Sequence, residues 1–308
     1  MPKSNLKLNL DPRPIGVFDS GVGGLSVLNH LIQTFPNESF VYLGDTARLP
    51  YGSKSPTTIQ RYVTQNINYL IEKQNIKAVV VACNSASTVL KDIDIESKIS
   101  IFGVIIPGSK AAFETTKNKK IAIWATRATV KQESYSKALK DLDSKIKSFQ
   151  VPCPLLVPIV EEGLWDSPIT DSIIDLYLNQ LKDTDVDTLI LGCTHYPFIR
   201  KSIEARIVKQ GSKLNLKLNI VDSAKALSDE LETAFKTKKI IAATDLKTNN
   251  SKVGRKSSKA NSKDNLDLKP EIKLLLTDEA SHFMTLVLKT FPDWKNIKFQ
   301  LIDLHQIV

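Results

Sequence analysis

The sequence of 308 residues has few of the side chains that form disulfides or hold metal ions, with 3 cysteines and 4 histidines. Cys83, Cys153 and Cys193 include no C-x-x-C pair, and an odd number of cysteines does not suit a framework of disulfides. This scarcity argues against a small secreted scaffold and against a cysteine-based metal or redox pair. We expect three free thiols in a reducing compartment and therefore a cytoplasmic protein.

Long hydrophobic runs are also missing. The longest uninterrupted apolar stretch runs from Ala78 to Cys83, which is far shorter than the ~20 residues that a helix needs to cross a bilayer. Residues 1–14 mix lysine and asparagine with isolated leucines and lack the apolar segment of a secretory signal. The sequence therefore predicts neither a membrane protein nor a secreted one.

An excess of charge of one sign is absent from most of the chain. The formal net charge is +9, but residues 236–273 hold eleven Lys or Arg against four Asp or Glu, and residues 1–14 hold three against one. The rest of the chain is neutral overall, so no basic groove indicates nucleic acid as a partner. Residues 247–270 are mostly Lys, Asn and Ser with almost nothing to bury, and we expect a disordered basic insertion there.

What the sequence does contain is a regular alternation of short apolar runs with amphipathic stretches. A length of 308 residues corresponds to two compact units at ~150 residues each. Runs that are nearly all apolar are typical of parallel strands covered by helices on both faces, so the pattern predicts an α/β fold. The predicted strands are Ile15–Phe18, Phe40–Leu43, Ala78–Ala82, Ile101–Ile106, Ile121–Ala125, Leu155–Val160, Thr188–Leu191, Leu218–Val221 and Lys273–Leu276.

An internal repeat refines this prediction. A shift of 110 residues places the segment Ile71–Cys83 on the segment Leu181–Cys193 without a gap. Each segment reads as helix, short turn, apolar strand, small residue and cysteine. We infer two related α/β lobes in which Cys83 and Cys193 occupy equivalent places, each at the carboxyl end of a strand where a helix begins.

Polar residues follow both of these cysteines, in ACNSAS and GCTHYP. Such residues can cap a helix, and a helix N-terminus lowers the pKa of a thiol and attracts a carboxylate. A lone cysteine at the end of an apolar strand can also be a small core residue, and we assign that role to Cys153 only. The capping candidates are Asn84 and Ser85 after the first thiol, and Thr194 and His195 after the second.

Three further places could contribute polar groups. Asp19 and Ser20 end the first predicted strand and would project toward a ligand, while the glycines after them do not complete a dinucleotide fingerprint. The segment 50–52, Pro-Tyr-Gly, predicts a turn whose N–H groups could bind a carboxylate. Glu161 and Glu162 follow a predicted strand, and one of the two could face the site.

The motifs GVFDSGVGGLSVL, GDTARLPYG, ACNSAS, CPLLVPIVEEG and LILGCTHYP run in order between Ile15 and Ser223. In this combination the chain resembles the bacterial glutamate racemases of the aspartate/glutamate racemase superfamily. The resemblance implies two pseudo-symmetric lobes with the active site between them, catalysis without a cofactor or metal, and Cys83 and Cys193 as the acid/base pair. It also implies substrate contacts from Asp19, Ser20, Tyr51, Gly52, Asn84, Ser85, Thr194 and His195, with assistance from Glu161 and Thr126.

The resemblance further implies an activity and an organisation. The expected reaction interconverts L-glutamate and D-glutamate, with Cys83 taking the proton from the D-isomer and Cys193 from the L-isomer. Asp19 would assist the first thiol, and His195 would assist the second. The product D-glutamate would feed peptidoglycan synthesis and so maintain cell shape. The family commonly forms homodimers, and relatives with an N-terminal extension are activated by UDP-N-acetylmuramoyl-L-alanine.

The resemblance also suggests domain boundaries. Residues 1–14 would be an N-terminal extension. Residues 15–107 with 223–308 would form the first lobe, and residues 108–222 would form the second.

Three other activities remain open at this point. The chain could be a racemase of the same superfamily that acts on aspartate. It could be a Cys-His hydrolase that uses Cys193 and His195, although positions two apart rarely place a nucleophile and a base correctly. It could also be an amino-acid-binding module without catalysis, which would need the capping residues but not two thiols.

We predict that residues 247–270 are dispensable, because so few apolar groups there can offset the entropy of ordering them. A short Gly/Ser replacement should leave the turnover rate and the melting temperature nearly unchanged. A large loss of either quantity, measured by an activity assay and thermal denaturation, would contradict this prediction.

Overall fold

The computed structural model describes residues 9–95, 99–238, 240–241, 270–278, 281–294, 297 and 299–304. Residues 1–8 of the expected N-terminal extension and residues 247–269 of the expected basic insertion lie outside the described residues. The predictions for those two segments therefore stay predictions.

Short strands alternate with helices along the described chain. The strands are β1 Asn9–Leu10, β2 Ile15–Asp19, β3 Phe40–Gly44, β4 Ala78–Val81, β5 Ser100–Gly103, β6 Lys120–Ala125, β7 Lys147–Pro152, β8 Thr188–Gly192, β9 Asn219–Asp222, β10 Ile240–Ile241, β11 Ile272–Leu276 and β12 Phe299–Leu301. The α-helices are α1 Gly24–Thr34, α2 Pro56–Gln74, α3 Asn84–Ser87, α4 Ile105–Thr115, α5 Arg127–Gln132, α6 Ser134–Leu142, α7 Leu156–Glu161, α8 Pro168–Asn179, α9 Arg200–Leu214, α10 Ser223–Lys238 and α11 Ser281–Thr290.

Two parallel sheets organise these strands. The first sheet has the strand order β12–β11–β3–β2–β4–β5, and the second sheet has the order β7–β6–β8–β9. Within β2–β5 and within β6–β9, the first strand lies between the second and the third, and the fourth lies beside the third. The predicted α/β fold with two related parallel sheets is confirmed.

The two sheets share the register of their paired strands in addition to the strand order. Ile15 of β2 is paired with Ala78 of β4, and Ile121 of β6 is paired with Thr188 of β8. Ala78 and Thr188 are separated by the same 110 residues that relate the two sequence segments. The repeat in the sequence is therefore a repeat of strand pairing.

The chain returns to the first sheet after β9. There β11 pairs with β3, and β12 pairs with β11. A separate two-stranded parallel pair joins Asn9 and Leu10 to Ile240 and Ile241. The proposed division of the chain near residues 107 and 223 stays a prediction.

Local sequence explains the longest helix, α2. Ser55 precedes it in an extended conformation, and its hydroxyl accepts a hydrogen bond from Thr58 N at 3.2 Å. Pro56 fills the first helical position, where its missing N–H costs nothing. The helix ends at Asn75, whose φ of 47° is left-handed. Its buried face presents Ile59, Val63, Ile67 and Leu70 to the first sheet.

The core follows from the alternation of side chains along the strands. Val80 of β4 packs in an apolar cluster that also contains Trp124 of β6, whereas Val79 and Val81 pack in a second cluster with α2. Successive residues of a strand point to opposite faces of its sheet, so both faces of β4 are covered. Within the described residues, no helix combines the length and the apolar character needed to cross a membrane.

Two of the predicted strands differ from the structure. The expected strand Leu155–Val160 is wrong, because this segment forms most of α7 and the strand is β7, earlier in the chain. β7 is an edge strand with several partly exposed side chains, so it mixes polar and apolar residues and lacks the continuous apolar run. The expected strand Ile101–Ile106 ends early, because α4 begins at Ile105.

Candidate active site

The two cysteines with polar neighbours lie at the carboxyl ends of corresponding strands. Cys83 comes shortly after β4, and Cys193 comes directly after β8. In the first sheet β2 lies between β4 and β3, and in the second sheet β6 lies between β8 and β7. Ligands of open α/β sheets bind where the strand order reverses in this way. The fold therefore places both thiols at sites of that kind.

The Cys83 thiol is buried beside β2. Its Sγ lies 3.7 Å from Ser20 Oγ, at hydrogen-bond distance for sulfur. Burial raises the pKa of the Cys83 thiol above its ordinary value, and the negative charge of Asp19 raises it further. The Ala86 N–H and the Ser20 hydroxyl oppose this rise only in part.

The helix start therefore lowers the pKa of Cys83 only in part, through the Ala86 N–H of α3, and burial outweighs this effect. The helix that follows, α3, has only four residues, and no side chain caps its N-terminus. Its few aligned peptide groups do not compensate for the loss of water around the sulfur. After Cys193 no α-helix begins at once, because a 3-10 helix, Tyr196–Ile199, precedes α9.

The Cys193 thiol lies beside an imidazole. Its Sγ lies 3.7 Å from His195 Nδ1, and His195 Nε2 lies 2.5 Å from Glu161 Oε1. Burial alone would lower the pKa of His195, but the contacts with Cys193 and Glu161 together hold it well above its ordinary value. Both contacts therefore favour the protonated form of the imidazole. Positions two apart thus bring the ring and the sulfur within hydrogen-bond distance here.

Asp19 connects the two sheets. Its Oδ1 accepts a hydrogen bond from Thr194 Oγ1 at 3.2 Å, and its Oδ2 accepts one from Gly21 N at 3.0 Å. Asp19 is fully buried, and burial raises its pKa to about 6, although the charge of His195 and these hydrogen bonds act in the opposite direction. Such a carboxyl changes its charge close to neutral pH.

The turn after β2 brings the two lobes into close contact. A Cβ added to Gly23 would lie 2.3 Å from Thr194 Oγ1 and 2.7 Å from His195 Nδ1. A side chain at this position would displace both groups, so only glycine allows this approach of the backbone.

A second polar group surrounds the start of α5. The hydroxyls of Ser85 and Thr126 are 2.8 Å apart, and Thr129 Oγ1 lies 3.3 Å from the first and 3.1 Å from the second. Thr126 also caps α5 by accepting from Thr129 N. Gly52 packs on this group, because a Cβ there would come within 2.6 Å of Thr126 Cβ.

Two of the expected site residues each use a polar atom in a contact with another protein side chain. The Tyr51 hydroxyl donates to the buried Asp45 carboxylate, which also accepts from Asn66 Nδ2 at 3.2 Å. The Asn84 carbonyl oxygen accepts from the Tyr135 hydroxyl at 2.7 Å. Asn84 Nδ2 is buried and has no hydrogen-bond partner among the described residues.

The structure also separates the remaining candidates. Glu161 contacts His195 from the end of α7, not from the end of a strand, whereas Glu162 is exposed. Cys153 is fully buried, and its Sγ donates to Val151 O at 3.3 Å. Within the described part of the chain, no group of three or more His, Cys, Asp or Glu side chains is arranged to hold a metal ion.

Sequence reasoning missed Thr129 and Tyr135. The spacing of Thr126 and Thr129 is that of a helix cap and the residue whose N–H it accepts, which could have indicated the first. Nothing in the local sequence connects Tyr135 with Asn84, because the two residues are 51 positions apart.

Comparison with known proteins identifies the class. Residues 15–231 match the family model of Asp/Glu/hydantoin racemases. Because this match covers most of the chain, the protein belongs to that racemase family.

Relatives within the family are similar to this chain over more than two thirds of its length. The chain is 39% identical over 292 residues to a glutamate racemase of Sulfurihydrogenibium sp., covering 94% of this chain and 98% of that protein. It is 46% identical over 213 residues to a glutamate racemase of Persephonella marina, covering 69% and 78%.

Solved structures of glutamate racemases are also similar. The structure from Francisella tularensis in complex with D-glutamate has a TM-score of 0.79 at 30% identity, covering 96% of this chain and 99% of that one. A glutamate racemase isoform from Bacillus anthracis has a TM-score of 0.79 at 32% identity, covering 95% and 98%.

The raised pKa of Asp19 makes a prediction about stability. The Asp19 carboxyl binds its proton more tightly in the folded state than in the unfolded chain. Its contribution to the free energy of unfolding is therefore fully present below the unfolded pKa and is lost as the pH rises through about 6. Between about pH 5 and about pH 7.5, wild type should lose about 1.4 kcal/mol of unfolding free energy relative to Asp19→Asn.

Urea denaturation of both proteins at the two pH values measures this difference. Asp143→Asn serves as the control, because the pKa of the half-buried Asp143 is lowered by its hydrogen bond to Lys119, so its contribution is lost only below its ordinary pKa and should hardly change between the two pH values. A difference between wild type and Asp19→Asn that is independent of pH would contradict the assignment of a raised pKa.

Proposed function

We propose that this protein racemises L-glutamate and D-glutamate by a two-base mechanism in which Cys83 and Cys193 act on opposite faces of the α-carbon. The observation that carries the proposal is the placement of these thiols. Both are buried, both follow corresponding strands of two related sheets, and each lies 3.7 Å from a polar side chain of its own. Cys153, the remaining cysteine, donates its thiol to the backbone carbonyl of Val151.

The choice of glutamate as substrate is supported by the comparisons. The relatives with the broadest coverage are named glutamate racemases, and a structure with 30% identity was solved with D-glutamate. A site built to pair a distal carboxylate leaves its hydrogen-bond donors unmatched when the substrate is shorter. We therefore expect aspartate to be a much poorer substrate.

Inversion at the α-carbon needs a base on one face and an acid on the other. One cysteine, as a thiolate, removes the α-hydrogen, and the C–H electron pair remains on carbon. The opposite cysteine, as a thiol, then donates its proton to the other face. The α-ammonium and a hydrogen-bonded α-carboxylate stabilise the intermediate charge. After the reaction the two cysteines have exchanged protonation states.

Cys193 is assigned to the proton of L-glutamate. His195, whose pKa is raised, lies beside its sulfur and is held by Glu161 on the opposite ring nitrogen. A hydrogen-bonded orienting group of this kind fixes which ring nitrogen faces the thiol. His195 and Glu161 are therefore proposed to assist Cys193.

Cys83 is assigned to the proton of D-glutamate. Its thiol has a raised pKa, so formation of its thiolate needs a base nearby. Asp19, with a pKa of about 6, suits proton exchange near neutral pH. Ser20 is proposed to hydrogen bond to the sulfur while its charge changes.

The remaining polar groups are proposed to hold the substrate carboxylates and ammonium. Asn84 Nδ2 is a buried donor without a partner among the described residues, and such a donor costs ~1–3 kcal/mol unless a ligand uses it. Ser85 and Thr126 offer hydroxyls from opposite sheets. Gly52, with the backbone around Tyr51, would approach from the first sheet.

We further propose that the product D-glutamate supplies peptidoglycan synthesis, as the resemblance implies. Homodimer formation, cytoplasmic location and activation by UDP-N-acetylmuramoyl-L-alanine stay predictions. An assay in the presence and absence of that nucleotide would test the last of these.

The two-base proposal predicts that Cys83→Ala and Cys193→Ala each lose racemisation in both directions, because each direction uses one cysteine as base and the other as acid. We expect a fall in kcat of ~10³-fold or more for each variant. Circular dichroism with D- and L-glutamate measures both directions. Cys153→Ala is the matched control and should keep its turnover.

Substantial turnover by either alanine variant at an active-site cysteine would contradict the paired roles. Comparable kcat/KM values for aspartate and glutamate in wild type would contradict the substrate assignment.

A further inference from the structure

Tyr135 is a fully buried tyrosine between the two thiol-bearing segments. It lies in the first turn of α6 and is among the largest side chains with no exposure. Its ring packs against two glycines. A Cβ on Gly192 would come within 3.1 Å of Tyr135 Cε2, and one on Gly108 would come within 3.4 Å of Tyr135 Cε1. Because Gly192 immediately precedes Cys193, the ring borders the second catalytic strand end.

The hydroxyl of the same side chain reaches the first catalytic strand end. Tyr135 Oη donates to Asn84 Oδ1 at 2.7 Å, and Asn84 immediately follows Cys83. The contact spans the two sheets, since α6 follows β6 of the second sheet and α3 follows β4 of the first.

The direction of this hydrogen bond decides which end of the Asn84 amide faces the site. An asparagine amide can turn over, so that its nitrogen and oxygen exchange places. Ser223 acts to lower the pKa of Tyr135, as a hydroxyl that donates toward the phenol oxygen would. When Ser223 donates to that oxygen, the phenol proton remains for Asn84 Oδ1. The amide is then held with its carbonyl toward Tyr135 and its NH₂ group away from it.

The orientation leaves a buried donor in a polar site. Asn84 is only 2% exposed, and its Nδ2 has no hydrogen-bond partner among the described residues. An unpaired buried N–H is costly, and the cost is recovered when an acceptor binds. A carboxylate oxygen of an amino acid is an acceptor of the required kind.

We propose that Tyr135 is a positioning residue that fixes the Asn84 amide so that Nδ2 faces the substrate and binds one of its carboxylate oxygens. The inference rests on the proposed racemisation for the identity of the ligand. Tyr135 itself does not touch the substrate. It acts through Asn84, and its ring keeps that contact in register with the strand that carries Cys193.

The substitution Tyr135→Phe distinguishes the proposed role of the hydroxyl from the packing of the ring. The variant keeps the ring and its contacts with Gly108 and Gly192, and it removes only the hydroxyl. Without the phenol proton the Asn84 amide loses its preferred orientation. We expect the KM for glutamate and the Kd measured by calorimetry to rise about five- to tenfold, as for the loss of one hydrogen bond, while kcat changes less than KM.

Tyr177→Phe is the matched control. Tyr177 is also buried, and its hydroxyl accepts from Leu155 N at 3.2 Å, outside the contacts that define the site. Its removal should lower the melting temperature about as much as Tyr135→Phe does and leave KM unchanged. Equal changes of KM in the two variants would overturn the proposal.

A double-mutant cycle tests whether Tyr135 acts through Asn84. In an Asn84→Ala background, Tyr135→Phe should produce no further rise in Kd, because no amide remains to be oriented. A full additional rise in that background would overturn the proposal. If Tyr135→Phe does not fold, Ser223→Ala tests the same orientation. It should raise Kd by a smaller factor, and only when Asn84 is present.

Binding and racemisation of glutamate by the wild-type protein distinguish the failure of one proposal from the failure of the other. If wild type binds glutamate without racemising it, the proposed mechanism fails, and the binding cycle still decides the role of Tyr135. If wild type racemises glutamate and Tyr135→Phe has unchanged KM and Kd, the inference about Tyr135 fails and the mechanism stands.

Discussion

The site depends on one geometric constraint, which is the equal register of two parallel sheets. Because β4 pairs with β2 as β8 pairs with β6, the segments after β4 and β8 emerge at equivalent positions. Each segment carries a cysteine. Asp19 at the end of β2 then bonds to Thr194 beyond β8 at 3.2 Å, and the glycine turn after it lets the backbone approach that segment closely. The two thiols therefore hold equivalent positions in the repeat, as the proposed common site requires.

The repeat makes the positions of the thiols equivalent, but their electrostatic surroundings differ. Cys193 lies beside an imidazole with a raised pKa that is held by Glu161, whereas Cys83 lies beside a serine hydroxyl and near a carboxyl whose pKa is about 6. A reversible reaction with two mirror-related substrates does not require identical bases. It requires that each base returns to its starting protonation state after turnover, and we propose that the two thiols do so with different proton partners.

Much of this arrangement can be predicted from sequence. The apolar runs that become β4 and β8 are continuous, because these strands are covered on both faces, and the repeat at 110 residues is visible for the same reason. β7 is not predicted, because an edge strand needs no continuous apolar run. The cysteines, Asp19 and His195 are identified by motif. The bond from Tyr135 to Asn84 depends on tertiary packing between two sheets, and the raised pKa of Cys83 depends on burial, so neither can be obtained from local sequence.

The most direct test of the account is isotope incorporation in deuterated water, measured at early times in both directions by mass spectrometry of the separated isomers. A thiol on each face, exchanging its proton with solvent when free, predicts deuterium at the α-carbon of the product and little in the recovered substrate. This result is expected whether the reaction starts from D-glutamate or from L-glutamate. Rapid entry of deuterium into unreacted substrate would indicate a single base that reaches both faces, and it would contradict the paired roles of Cys83 and Cys193.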